Sequence, residues 1–466
     1  MRSQVNRALA CLALCACSND PTPEAPKELV DQLKAIPGVT VEQKDTATPG
    51  VTYFVLHFTQ PADHDQPGGQ TFQQEVSLIH RDVDAPMIVQ TSGYFDYYED
   101  RPVELTNLLL ANQISIEHRF FGASRPDPAD WSKLTIKQMA DDEHVIIAAL
   151  RDIYPGAFLT TGGSKGGMTA TYHRRFYPGD VDGTVPYVAP ISFAAPDERY
   201  TAFVDGIGPS SCRTALRALA IEMLQNRRAM IEARVGAQPN HAYTRIKLGP
   251  AVEVSIASVE WAFWQYYGVD YCGEVPAVTA SDEAVFDFLD EVAPVGDSDD
   301  EQVAAFEAYY YQAYAQLGYP ADNATYLDGF TIYSDADYDG ALPTPDLPVY
   351  DDGAAMTDID TWVKTEGDRL LFIYGEFDPW SGGQYTLGNA TDSLLLVQPQ
   401  GSHGSRINRL DEGDREAAFA KLEAWTGVTP LPPVIEKPTE EPRARREVMA
   451  ERRVPPALIR LLAKRR

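Results

Sequence analysis

The chain has 466 residues, 44% of them hydrophobic and 23% charged, which is ordinary for a globular protein with a large core. Its 39 basic and 68 acidic residues give a formal net charge of −29, which argues against nucleic acid as a partner because the two polyanions would repel each other. The composition leaves the chemistry open.

The first residues are typical of an export signal. A basic start is followed by an apolar run over residues 8–16 that is too short to span a bilayer. Residues 14–17, Leu-Cys-Ala-Cys, resemble a bacterial lipobox and mark Cys17 as the lipidated residue, with ordinary cleavage after a small residue as the alternative. We therefore predict a signal over 1–17 and a Pro-rich tether over 18–37. The body is expected outside the cytoplasm, anchored to the bacterial cell envelope or secreted.

Two of the five cysteines, Cys212 and Cys272, remain in the body of the chain. A pair of cysteines in an exported protein suggests one disulfide, and two buried free thiols are the alternative. Neither cysteine has metal-ligand spacing, and we expect no metal or other cofactor.

Short apolar runs predict a sheet in the first part of the chain. Alternating apolar and polar residues over 38–58 predict early antiparallel strands. Further strands are predicted over 71–80, 86–90, 114–117, 157–159 and 187–191, and helices over 135–153 and 168–177. Strands that alternate with helices indicate an α/β fold with a mainly parallel sheet covered by helices.

Long helical patterns rich in aromatic residues then replace the strands. These patterns cover residues 212–234, 252–267, 282–292 and 301–317. We interpret residues 197–335 as an inserted helical cap over the sheet. The strand pattern returns over residues 369–374 and 393–397, before a last helix over 411–425. The core thus has two parts, 38–196 and 336–428, and a Pro- and Arg-rich tail follows over 429–466.

A glycine-rich turn follows the predicted strand at 157–159. Gly162-Gly-Ser-Lys-Gly166 fits G-x-S-x-G, the nucleophile elbow in which a serine lies on a sharp turn between a strand and a helix. We expect that there is no room for side chains on either side of the serine. Ser164 is therefore the candidate nucleophile, and a plain Gly/Ser turn is the alternative.

A serine nucleophile needs a base, and the base needs an acid that orients it, in the chain order Ser, acid, His. Of the eight histidines, five precede Ser164, one lies on the predicted elbow helix and one in the predicted cap. His403 remains, in a glycine-containing loop after the last predicted strand. Asp378, in the loop after the strand at 369–374, is the candidate acid, and Glu376 is the second choice.

An oxyanion hole needs two backbone N–H groups. We expect one from Lys165, the residue after the nucleophile, and one from Tyr94, in the loop after the strand at 86–90. The side chain of Lys165 is expected to contact solvent or substrate.

Five motifs together resemble a known family. They are Gln60-Pro-Ala-Asp-His64, Glu117-His-Arg-Phe-Phe-Gly122, Gly162-Gly-Ser-Lys-Gly-Gly167, Glu376-Phe-Asp-Pro-Trp380 and Gly401-Ser-His-Gly404. The series is similar to that of exported tripeptidyl aminopeptidases, serine peptidase family thirty-seven, and more distantly to the prolyl carboxypeptidase and dipeptidyl-peptidase II group. The resemblance implies a serine exopeptidase acting on peptides, with an α/β-hydrolase core and a helical cap. It also carries Ser164, Asp378 and His403 across as a triad. Members of this family are commonly released from the cell, so the lipobox-like start of this chain departs from the family pattern.

An aminopeptidase must hold the ammonium group of its substrate. Glu117, Asp96 and Glu99 are candidates for that carboxylate, and a structural pair with Arg119 is an equal alternative for Glu117. Trp380, beside the acid, is a candidate for lining the pocket of the residue before the cut bond.

Two other functions use the same residues. An esterase or lipase would employ the same triad, since a fold does not fix the substrate. A peptide-binding lipoprotein with a degenerate site is the other alternative, and the intact triad argues against it. Residues 335–346 resemble the start of a calcium loop, for which a polar loop closing the cap is the favoured interpretation.

Overall fold

The computed structural model describes residues 27–96, 100–321, 324–343 and 348–432. Its centre is a nine-stranded sheet in the order β1-β2-β3-β5-β4-β6-β7-β8-β9. The strands are β1 (Val39–Lys44), β2 (Thr52–Pro61), β3 (Thr71–His80), β4 (Met87–Thr91), β5 (Asn112–Ile116), β6 (Phe158–Gly163), β7 (Gly183–Tyr187), β8 (Leu371–Gly375) and β9 (Leu394–Gln398).

The first three strands pair antiparallel, and β3 is also antiparallel to β5. From β5 onward every neighbouring pair in the sheet is parallel. All residues of β4, β5, β7 and β8 are buried, as is usual where helices cover both faces of a parallel sheet. This confirms the predicted α/β class with a mostly parallel sheet.

Helices cover both faces of the sheet and form an insertion beside it. They are α1 (Lys27–Ala35), α2 (Glu104–Leu108), α3 (Ile136–Arg151), α4 (Lys165–Phe176), α5 (Arg199–Val204), α6 (Ser210–Glu222), α7 (Arg228–Gly236), α8 (Leu248–Ala257), α9 (Val259–Tyr266), α10 (Asp282–Val292), α11 (Asp300–Gln312), α12 (Ala354–Glu366) and α13 (Glu412–Thr426). Helices α5 to α11 lie between β7 and β8 in the chain and make up the inserted cap.

Each layer has its own apolar core. Residues of α1 and α3 pack with the early strands, as in the cluster that includes Leu33, Phe54 and Ile147. Residues of α2 and α13 pack on the other side, with Leu105 and Leu422 among them. The cap aromatics join the largest cluster. The sheet is therefore held from both sides.

Two boundaries differ from the sequence prediction. The tether over 18–37 includes helix α1, because Leu29 and Leu33 share one helical face and are buried in the core. Strand β7 covers 183–187, and the apolar residues 188–191 leave the sheet, where Val188 has a positive φ of 44°.

Two long predicted cap helices are interrupted. The pattern over 212–234 becomes α6 and α7 with a π-helical turn at Met223–Arg227 between them, and the pattern over 252–267 becomes α8 and α9. Within the described parts of the chain, no helix has the length and apolar character needed to cross a membrane.

Candidate active site

Ser164 lies in a strained turn between β6 and α4. Its backbone has φ +56° and ψ −126°, a conformation that residues other than glycine rarely adopt. The Ser164 amide donates a hydrogen bond to the carbonyl of Tyr187 at 2.8 Å, and its carbonyl accepts one from Met168 at 3.0 Å. These bonds tie the turn to β7 and to the first turn of α4.

The crowding in this turn lies at the two glycines of the G-x-S-x-G pattern. A Cβ atom on Gly162 would collide with the backbone of Gly166, and one on Gly166 would collide with the carbonyl of Thr91. Gly163, which precedes the serine, has open space around it. The expectation that no side chain fits on either side of the serine is therefore wrong for Gly163, which adjoins the serine. It is right for Gly162 and Gly166, which lie one position further from it.

Asp378 and His403 are brought together by the last two strands. Asp378 follows β8 and is fully buried, and His403 follows β9 and keeps a small exposed fraction. The Nδ1 atom of His403 lies 2.8 Å from Oδ2 of Asp378. The other oxygen, Oδ1, accepts the amide of Trp380 at 3.2 Å, so the carboxylate is held on both sides.

Helix α9 of the cap contacts the histidine loop directly. The backbone N–H of His403 donates to the carbonyl of Gln265 at 2.9 Å. The ring of the next cap residue, Tyr266, lies edge-on to the imidazole with centroids 6.4 Å apart. The position of His403 is thus set by both the core and the cap.

Sheet geometry places the three predicted residues at one edge. Strands β6, β7, β8 and β9 are adjacent and parallel, so their carboxyl ends meet on the same side. Ser164, Asp378 and His403 each follow the end of one of these strands. Because Nδ1 of His403 is held by the carboxylate, Nε2 is the ring atom left to exchange a proton.

The loop after β4 lies against the nucleophile turn. Gly93 has φ +75°, and a Cβ there would come within 2.7 Å of the Gly166 nitrogen. The Tyr94 amide donates to Oγ of Ser92 at 3.1 Å. An oxyanion bound by Tyr94 would have to share or replace that hydrogen bond. Lys165 is the first residue of α4, where backbone N–H groups have no helical acceptor.

The side chain of Lys165 does not contact solvent, which corrects the expectation from sequence. It is 2% exposed, and its Nζ donates to the carbonyl of Gly93 at 2.6 Å. The rings of Tyr94 and Phe121 lie 5.3 and 5.5 Å from the same nitrogen. The sequence carried no signal for this, because the burial depends on elements that are distant in the chain.

Glu117 has structural partners, and Arg119 is not among them. Its carboxylate accepts from the Ser124 amide at 3.1 Å and the Ser124 hydroxyl at 2.9 Å, and more weakly from the Asp96 amide at 3.4 Å. Burial raises the pKa of Glu117. The alternative of a pair with Arg119 is wrong, because Arg119 binds Asp142 instead, with Nε–Oδ2 at 2.7 Å.

The motifs at residues 60–64 and 117–122 both contribute to one buried ionic network. Asp142 binds Arg119 and also His64, whose Nε2 lies 2.7 Å from Oδ1. Arg119 donates to the carbonyls of Pro61 and Lys133 at 3.2 and 2.8 Å. These contacts join the loop at 60–64 to helix α3 and explain the motifs structurally.

Asp96 and Glu99 are the other two carboxylates predicted as candidates for binding the ammonium group of the substrate. Asp96 accepts a hydrogen bond from the hydroxyl of Ser77 and is buried. Glu99 lies outside the described residues, as do Cys17 and the basic tail from residue 433 onward.

Trp380 lies in an aromatic cluster beside His403. Its ring centroid is 5.5 Å from that of Trp261, 6.0 Å from that of Tyr200 and 6.3 Å from the imidazole of His403. Its indole nitrogen is buried and has no hydrogen-bond partner among the described residues.

A disulfide joins Cys212 on α6 to Cys272 in the 3-10 helix Val269–Glu274, linking two segments of the cap. In the described parts of the chain, no group of three or more His, Cys, Asp or Glu is placed to hold a metal ion. The suggested calcium loop begins with a 3-10 helix at Asp335–Ala341, capped by Ser334 and Asp337, and part of it, including Asp346, lies outside the described residues.

Comparison with known proteins identifies the family. The family model of PS-10 peptidase S37 matches residues 22–453. A prolyl tri/tetrapeptidyl aminopeptidase of Streptomyces mobaraensis is 38% identical over 411 residues, which are 86% of this chain and 86% of that protein. The chain therefore belongs to the peptidase S37 family and is a serine peptidase. The family resemblance predicted from the motifs is confirmed.

Two solved structures are similar to this chain at lower sequence identity. The peroxisomal alpha-beta-hydrolase Lpx1 of Saccharomyces cerevisiae is 13% identical, with a TM-score of 0.38 and coverage of 87% of this chain and 96% of that one. The proline iminopeptidase of Mycobacterium smegmatis is 15% identical, with a TM-score of 0.35 and coverage of 78% and 96%.

Proposed function

We propose that this S37 peptidase is an exported exopeptidase that removes short peptides from amino termini, with Ser164 as nucleophile, His403 as base and Asp378 as orienting acid. The observation that carries the proposal is the 2.8 Å hydrogen bond between His403 and Asp378 at the sheet edge that bears the Ser164 turn. The name of the Streptomyces relative, a tri/tetrapeptidyl aminopeptidase, supports release of short peptides.

The chemistry follows from the roles of the three residues. Ser164 Oγ attacks the carbonyl carbon of the peptide bond while Nε2 of His403 takes its proton. The tetrahedral intermediate collapses, His403 gives that proton to the leaving amine, and an acyl-enzyme ester remains. A water molecule then attacks the ester, again through His403, and frees Ser164. Asp378 holds the neutral imidazole in the tautomer that carries its proton on Nδ1 and stabilises the imidazolium that forms when Nε2 is protonated.

Two backbone amides are proposed to hold the oxyanion. The Lys165 amide opens α4, where the helix dipole also favours negative charge. The Tyr94 amide supplies the second hydrogen bond by sharing its proton between Ser92 Oγ and the oxyanion, as three-centre hydrogen bonds allow.

The cap is proposed to select peptides over folded proteins. Helix α9 contacts the His403 loop, so cap residues lie next to the reaction centre. Trp380 is proposed to line the pocket for the residue before the cut bond, where the aromatic cluster offers a flat apolar wall. The prolyl preference in the relative's name suits such a wall.

A substrate panel tests the proposal. Tripeptidyl and single-residue chromogenic amides are compared with short acyl esters, for the intact chain and for Ser164→Ala. We expect cleavage of the tripeptidyl amides and no cleavage by the variant. Ester turnover without amide cleavage would instead support an esterase, and amide cleavage by Ser164→Ala would overturn the nucleophile. The cleavage ladder of one defined peptide gives the step length.

Export and anchoring are part of the same proposal. The basic and apolar start would direct the chain across the membrane, and lipidation of Cys17 would hold the body at the cell envelope. Peptides arriving from outside the cell would then be the substrates.

A further inference from the structure

Lys165 is an unusual residue to bury. It stands directly after the proposed nucleophile at the start of α4, and its side chain is 2% exposed. Removing an ammonium group from water is costly unless it gains strong partners. Burial lowers the pKa of Lys165 well below its ordinary value, while the charge of Glu143 acts in the opposite direction. The burial of a lysine directly after the proposed nucleophile therefore needs a functional explanation.

Its partner is the loop that faces the nucleophile turn. Lys165 Nζ donates to the Gly93 carbonyl at 2.6 Å, and the Tyr94 and Phe121 rings lie 5.3 and 5.5 Å from the same nitrogen, within cation–π range. The short Nζ–O distance marks a close hydrogen bond that ties the side chain to the loop.

That bond fixes a peptide plane. The C=O of Gly93 and the N–H of Tyr94 belong to one planar trans peptide and point in opposite directions. Lys165 holds the carbonyl side, and Ser92 Oγ accepts from the amide side at 3.1 Å. Because Gly93 has no Cβ, the loop lies flush on the backbone of Lys165 and Gly166.

We propose that the Lys165 side chain is a positioning residue for acyl transfer, which fixes the Gly93–Tyr94 peptide against the turn that bears Ser164. One residue then supplies an oxyanion amide from its backbone and sets the second from its side chain. The inference rests on the proposed role of Ser164. Because an oxyanion hole acts on charge that develops only in the transition state, loss of this tie lowers kcat and leaves KM nearly unchanged.

A matched pair of variants tests the inference in the full chain. Lys165→Met keeps an unbranched apolar chain as far as Cε and removes the donor, whereas Lys165→Gln has the same reach as Met and keeps a neutral N–H donor. With a tripeptidyl chromogenic amide we expect kcat of the Met variant to fall about 100-fold and KM to stay within about threefold. The kcat of the Gln variant should be at least about tenfold higher than that of the Met variant, and the two variants should have similar melting temperatures.

A second readout separates positioning from a structural role. A peptidyl boronate, which mimics the tetrahedral intermediate, should bind the Met variant more weakly by about the same factor as kcat falls, while a product peptide binds equally well. Equal kcat values for the Met and Gln variants, a loss confined to KM, or unchanged boronate affinity would each overturn the inference.

A further variant covers the case in which Lys165→Met does not fold. Glu143 is buried and its Oε2 has no hydrogen-bond partner among the described residues. The double variant Lys165→Met with Glu143→Gln removes both the amine and the buried carboxyl group that interacts with it electrostatically, and Glu143→Gln alone is its control. The same criteria apply to it. If Ser164→Ala still cleaves the amide, the proposed function itself fails. If that variant is inactive and the Lys165 variants match the parent, only this inference fails.

Discussion

Two carboxylates two residues apart have different tasks at the end of β8. Asp378 is fully buried and binds Nδ1 of His403, while Glu376 is exposed and accepts the Gln400 amide at 2.7 Å. The sequence ranked Asp378 first because Pro379 holds it in an extended conformation. The contacts of the two side chains support that ranking.

Asp378→Asn should lower kcat about 10⁴-fold, since an amide in place of the carboxylate stabilises the wrong imidazole tautomer. Glu376→Gln, the matched control, should leave kcat within about twofold, because the amide oxygen still accepts from Gln400. Steady-state kinetics on one tripeptidyl amide measures both. A larger loss for Glu376→Gln than for Asp378→Asn would assign the acid to Glu376.

Glu117 offers a test of substrate contact against structure. Its carboxylate is occupied by Ser124, so Glu117→Gln should keep KM for a tripeptidyl amide within about threefold. Glu117→Ala removes the acceptor and should lower the free energy of unfolding by about 1–3 kcal/mol. Denaturant melts and kinetics give the two values. A tenfold rise in KM for Glu117→Gln would show that this carboxylate binds the substrate ammonium.

At the scale of the element, the nucleophile turn depends on two glycines. Gly166→Ala would force a Cβ into the carbonyl of Thr91, which is backbone and cannot swing away. We expect it to lower the free energy of unfolding by more than about 3 kcal/mol, or to prevent folding. Gly163→Ala enters open space and should melt within about 2 °C of the parent. Equal melting temperatures for the two variants would contradict the geometry.

The cap is braced by its disulfide. The bond between Cys212 and Cys272 closes a loop across 60 residues, and removing it should cost about 2–4 kcal/mol of stability. The double variant Cys212→Ser with Cys272→Ser should therefore unfold at lower denaturant concentration than the parent. Reductant should shift the parent to the same midpoint and leave the variant unchanged. A parent that is insensitive to reductant would argue for two free thiols.

Much of this architecture was readable from local patterns. The strands, the G-x-S-x-G turn and the late aspartate and histidine all depend on residues close together in the chain. The order of the strands in the sheet was not predicted, because it depends on pairing between segments that are far apart in the chain. Helix α1 was missed because only Leu29 and Leu33 mark it, and both find their partners in distant strands. The buried state of Lys165 and the pairing of Arg119 with Asp142 also depend on tertiary contacts. Neither has a signature in the chain order.

At the scale of the whole molecule, the proposed lipid anchor at Cys17 makes a prediction about where the enzyme is found. Cys17→Ser should move the enzyme from the membrane fraction to the soluble envelope or the medium, because one lipid anchor is lost. Mass spectrometry of the mature amino terminus checks this directly, with a diacylglyceryl cysteine expected in the parent. A plain cleaved terminus in the parent would indicate free secretion instead.

The main-chain hydrogen bond from His403 to Gln265 limits how freely such a protein can diversify. Insertions elsewhere in the cap can reshape the entrance without touching the base, whereas a change in the path of α9 also displaces the imidazole. A chimera that receives only the cap of a relative would combine helix α9 of one protein with the His403 loop of another. To transfer substrate preference between relatives, helix α9 and the histidine loop should therefore be exchanged together, so that both come from the same protein.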